Sequence, residues 1–111
     1  MPAPEGLEAL SAATWDADVL RSTLPVVVVF WEEWCVPCHI FAPAVEDAAR
    51  AAAGRLRFGA VSYDENAELA ERYDVRGLPA VLVIRDGDVC LKRIGLMGRK
   101  ELRRMLEACV P

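Results

Sequence analysis

The chain has 111 residues, 54% of them hydrophobic and 27% charged, and carries a formal net charge of -4. This length fits one domain with a core of its own, and the mixture excludes a disordered chain. The acidic balance argues against nucleic acid as a partner, since phosphate binding relies on an excess of Lys and Arg on one face.

Residues 1–6, Met-Pro-Ala-Pro-Glu-Gly, read as a flexible start to a single domain spanning 1–111. They lack the basic-then-apolar pattern of a secretory signal. No apolar run reaches the roughly 18 to 20 residues of a spanning helix, the longest being Leu24 to Trp31. The expected setting is therefore cytoplasmic.

Leu7 to Leu10 predicts a short first strand, and Ser11 or Thr14 a cap for a helix over Trp15 to Leu20. Pro25 then introduces Val26 to Trp31, a continuous β-branched run of the kind found in a central strand covered on both faces. From Cys35 the spacing turns helical through Ile40, Phe41, Val45, Ala48, Ala49 and Ala52, with a kink expected at Pro43 and an end at Gly54.

Leu56 to Tyr63 reads as a further buried strand, and Asp64 as the cap of a helix through Glu68, Leu69, Glu71 and Tyr73. A loop over Asp74 to Pro79 leads to a strand from Ala80 to Ile84. Asp86-Gly87-Asp88 is a hairpin signal joining it to Val89–Ile94, and a last helix runs from about Arg99 to Cys109. Crossover units followed by a hairpin give an α/β fold with one mixed central sheet and helices on both faces.

The four cysteines are spaced unlike a disulfide scaffold. Cys35 and Cys38 form a local Cys-x-x-Cys pair, which closes too small a loop to restrain an unfolded chain and so points to redox or metal chemistry. Cys35 falls at a helix start, where unpaired amides and the macrodipole stabilise a thiolate. Cys38, one turn in, is placed to attack a mixed disulfide on Cys35. Pro37 costs little there, because first-turn amides lack intrahelical partners. Cys90 and Cys109 stand alone and read first as small buried hydrophobes, with regulatory disulfides or dimer links as the second reading.

Several unlinked features together resemble the thioredoxin family over nearly the whole chain: F-W-x-x-W-C-x-P-C at Phe30 to Cys38, Pro43, Gly77-Leu78-Pro79, Asp86-Gly87 and Gly95. The resemblance implies a thioredoxin fold and a thiol-disulfide oxidoreductase acting on protein disulfides as a reductant, recharged by a thioredoxin reductase or another dithiol donor. It implies a monomer whose only redox group is the Cys35–Cys38 disulfide, with no bound cofactor or metal. Cys35 attacks and Cys38 resolves. Trp34, Val36, Pro37, Leu78, Pro79 and Gly95 form the substrate surface, with a cis bond expected before Pro79.

The departures from the family pattern bear on mechanism. Val29 stands where the family usually buries an Asp that deprotonates the second cysteine, and Ala60 where a Lys is common. Glu32, in place of a small residue, is a candidate substitute base, against its reading as a solvated loop carboxylate. Val36 replaces the usual Gly, and His39 the usual Lys. Val-Pro between the cysteines also occurs in periplasmic reductases serving cytochrome c maturation, which keeps an exported relative open. Two other readings stay open: a binding module whose catalysis has decayed, and metal binding, for which the pair supplies half of a tetrahedral site.

Overall fold

The structure, a computed structural model, describes residues 4–111. Its sheet has the strands β1 (Glu8–Leu10), β2 (Val26–Trp31), β3 (Arg57–Ser62), β4 (Ala80–Arg85) and β5 (Asp88–Ile94), in the spatial order β1-β3-β2-β4-β5. The first three are mutually parallel, and β4 and β5 run antiparallel to their neighbours. The helices are α1 (Val36–Ala51), α2 (Ala67–Arg72) and α3 (Arg99–Glu107). This is the mixed α/β sheet expected from the element order.

The valine run explains the layering. Side chains alternate across a strand, so a strand apolar at every position must be covered on both faces. Val27 and Val29, with Val81 and Val83 of β4, face Phe41 and Val45 of α1 and Leu102 and Leu106 of α3. Val26, Val28 and Phe30, with Leu82 and Ile84, face Val19, Leu69 and Ala70 on the other side. On that second face the Trp15 indole donates to the Tyr73 hydroxyl at 3.0 Å, which ties the segment before β2 to the end of α2.

Several local expectations are corrected. Residues 1–3 of the expected flexible start lie outside the described residues; Pro4 is buried, and the Glu5 amide donates to Glu46 at 2.7 Å. The first helical segment is a 3-10 turn over Ala12–Thr14 followed by a π-helical turn over Asp16–Leu20, and Ser11 makes no capping hydrogen bond. α2 begins after Asn66 rather than on Asp64. The Asn66 side chain instead bridges loops, accepting from the Ala12 amide and donating to the Ser62 carbonyl. α1 continues through Pro43 as one element, and Gly54 beyond it takes a φ of +85°. The Asp86-Gly87 turn has positive φ at both positions, the geometry that matches the twist of a two-residue hairpin.

Gly59 sets how closely β1 approaches the sheet. It pairs with Glu8 of β1 and Val28 of β2, and a Cβ there would lie 2.5 Å from Leu10 Cγ and 3.3 Å from the Glu8 carbonyl oxygen. Leu10 is itself buried and has little room to give way. Gly59→Ala should therefore destabilise the fold by about 1–3 kcal/mol, the usual cost of overpacking, read as a lower midpoint in urea denaturation.

Candidate active site

The reactive pair sits where a strand buried on both faces hands over to the longest helix. β2 ends at Trp31, a short turn follows, and the Cys35 amide closes it by donating to the Glu32 carbonyl at 3.1 Å. Cys35 is the N-cap of α1, with extended backbone at φ -87° and ψ 99°. Its Sγ accepts from the Cys38 amide at 3.2 Å, the place an oxygen side chain takes in an ordinary cap. Pro37 lies in the first turn without leaving a donor unpaired. An N-cap sulfur accepting from the Cys38 amide at the positive end of a sixteen-residue helix is in a setting that favours its thiolate.

Cys35 and Cys38 are joined as a disulfide, with their Cα atoms 5.3 Å apart. The pair is recessed: Cys35 is 3% and Cys38 6% accessible, whereas Trp34 is 62% and Val36 65% accessible. An apolar rim therefore frames a recessed disulfide. A groove beside it is lined by Trp34, Cys35, Val36, Pro37, Tyr63, Arg76, Gly77 and Leu78. The Leu78–Pro79 bond is cis, as expected. Gly95 donates its amide to the Pro79 carbonyl at 2.8 Å, and its φ of +103° gives a backbone reason for glycine there. Tyr63 and Arg76 line the groove without having been singled out in the sequence, since neither lies in a recognisable motif.

Glu32 is neither the solvated carboxylate nor well suited to be the base. It is buried, at 9% accessible. One carboxylate oxygen accepts from the Ser62 hydroxyl at 2.8 Å and the Asp64 amide at 2.9 Å, and the other from the Glu33 amide at 3.2 Å. The Asp64 amide, with help from Ser62 and Glu33 and against the opposing effect of burial, holds the Glu32 pKa below its ordinary value of 4.5. A carboxylate so satisfied is a weak proton acceptor. Its role is to brace the turn before Cys35 against the loop after β3.

Asp64 extends that brace, accepting from the Trp34 indole at 2.8 Å. Glu32, Asp64 and Trp34 thus form one chain of contacts that sets the rim. The register that pairs Trp31 with Ser62 across β2 and β3 brings Ser62 beside Glu32. His39 bonds through Nε2 to the Glu33 carbonyl at 2.7 Å, at the surface of the same turn. Val29 and Ala60, which replace the family's buried acid and lysine, are direct partners across β2 and β3 and both are buried.

A recessed disulfide on a helix N-terminus beside a cis-proline loop, carried by this sheet, defines a thiol-disulfide oxidoreductase of the thioredoxin fold. The comparisons agree: the thioredoxin family model matches residues 6–108. The chain is 35% identical to a thioredoxin of Pseudomonas aeruginosa over 86% of its length and 89% of the relative's. It is 36% identical to a thioredoxin of Rhodospirillum rubrum over 94% of its own length and all of the relative's. To chloroplastic thioredoxin M4 of Arabidopsis thaliana it is 36% identical, covering 51% of that protein. The chain belongs to the thioredoxin family.

The Glu32 brace has a pH signature. Because its folded-state pKa is lowered, its stabilisation is fully present above the unfolded carboxylate value and is lost as pH falls through the folded one. Glu32→Gln should be less stable than the parent by about 1–2 kcal/mol at pH 7. The difference should shrink as pH falls below about 4 in a series of urea denaturations.

Proposed function

We propose that the chain is a reductant of protein disulfides in which Cys35 attacks and Cys38 resolves. The observation that carries this reading is the Cys38 amide donating to Cys35 Sγ at the first turn of α1. The Cys35 thiolate attacks one sulfur of a substrate disulfide, forming a mixed disulfide and releasing the other substrate sulfur as a thiolate. Cys38, once deprotonated, attacks Cys35 Sγ, closes the internal disulfide and releases the second substrate thiol. Two electrons pass to the substrate, and a partner dithiol donor, such as a thioredoxin reductase, restores the pair.

In this reading no bound cofactor or metal is needed, the chain acts as a monomer in the cytoplasm, and nucleic acid plays no part. Trp34, Val36, Pro37 and Leu78, with Pro79 and Gly95 beyond them, receive an extended substrate segment along the groove. The apolar character of Trp34 and Val36 suits unfolded or loosely held substrate segments. No helix among the described residues is long and apolar enough to cross a membrane.

Cys38→Ser should trap a mixed disulfide through Cys35, visible on non-reducing gels, while the parent reduces insulin; no trapped partner together with an inactive parent would sink the proposal. The apolar pair of Val29 and Ala60 leaves Cys38 to lose its proton to water, which slows resolution. Val29→Asp should speed the resolving step about tenfold or more at neutral pH, as a general base does. It should also cost roughly 2–4 kcal/mol of stability, because the new charge is buried without a partner. Stopped-flow tryptophan fluorescence and urea denaturation would read the two effects, and an unchanged rate would mean that Cys38 already has another route.

A further inference from the structure

The other two cysteines are not the isolated buried hydrophobes that the sequence suggested. Cys90 and Cys109 are joined as a disulfide, with their Cα atoms 6.2 Å apart and a sequence separation of 19. A β-bulge makes this possible. Leu91 faces Val83 and Val89 faces Ile84, so Cys90 is the extra residue on β5. Strict alternation would turn Cys90 away from the face that Leu91 packs on. A bulge re-aims the side chain, and here it sends Cys90 toward that same face, where Cys109 lies in the core with Leu102 and Leu106.

The two halves of this bond differ in access. Cys90 is exposed on the edge strand, whereas Cys109 is buried just beyond the end of α3. The start of α3 is held to β5 by the ion pair of Arg93 with Glu101 at 3.1 Å. The disulfide holds its other end. The exposed residue is Cys90, and attack on its sulfur by an external thiolate must expel Cys109 as a thiolate into apolar surroundings. Burial raises a thiol's pKa and makes it a poor leaving group. At the Cys35–Cys38 bond, by contrast, the amide donor and helix N-terminus facing the Cys35 sulfur favour its thiolate and so the reduced form of that pair.

We propose that Cys90–Cys109 is a structural staple for the C-terminal helix, formed by oxidation but excluded from the exchange reaction. Its formation needs a low-molecular-weight disulfide such as glutathione disulfide. The exposed Cys90 thiolate attacks it, releasing one glutathione thiolate, and the Cys109 thiolate then attacks Cys90 Sγ and displaces the second. One protein disulfide forms, one glutathione disulfide becomes two thiols, and the two protons leave with them. Structural disulfides are uncommon where glutathione keeps thiols reduced. The burial of Cys109 is what lets this one persist.

The test oxidises the full chain with glutathione disulfide, then exposes it to a dithiothreitol series, with thiols alkylated by iodoacetamide under denaturing conditions and assigned by peptide mass. Cys35 and Cys38 should become alkylated at least about tenfold faster than Cys90 and Cys109. Opening of both bonds in step, or four free thiols after oxidation, would overturn the proposal. Cys90→Ser removes the cross-link at its exposed half, without deleting core volume. It should lower the Tm of the oxidised protein by about 10 °C and leave the insulin reduction rate within about twofold of the parent. In fully reduced protein the Tm difference should vanish. Persistence of the difference there, or a larger change in rate, would count against a staple.

Discussion

The placement of Cys35 Sγ at the first turn of α1 is the constraint on which the rest of the structure depends. A sulfur at that point faces the Cys38 amide and the positive end of the helix, and both favour its charged form. The position holds only if the strand before it and the helix after it are rigid. β2 supplies the first condition by being buried on both faces, and α1 the second by packing its apolar side under β2 and β4. Sheet and helix are thus the mounting for one polarised sulfur.

Around this mounting the polar contacts are few and local. Glu32 joins the turn before Cys35 to the loop after β3, and Asp64 passes the restraint on to Trp34. The carboxylate is held in its ionised form by its donors, which fixes the turn against the loop. The buried acid and lysine typical of the family are replaced by Val29 and Ala60, a neighbouring apolar pair. That exchange relieves the core of a desolvated charge pair.

The covalent links divide along the same physical line. In both, one sulfur belongs to a helix end, but the ends offer opposite surroundings. Cys35 has backbone donors at an N-terminus, and Cys109 has aliphatic neighbours beyond a C-terminus. The same bond is thereby suited to exchange in one place and to persistence in the other.

By itself the sequence determined the element order, the two-faced burial of Val26 to Trp31, the hairpin at Asp86-Gly87 and the Cys35–Cys38 pair at a helix start. Each follows from local periodicity, turn chemistry or short spacing, which the chain carries within a few residues. The tertiary structure alone decided the orientation of Glu32, the groove roles of Tyr63 and Arg76, and the pairing of Cys90 with Cys109. Those depend on which strands lie side by side and on a bulge at Val83 and Ile84. A side chain's partner across a sheet is set by register, and neither spacing nor propensity encodes it.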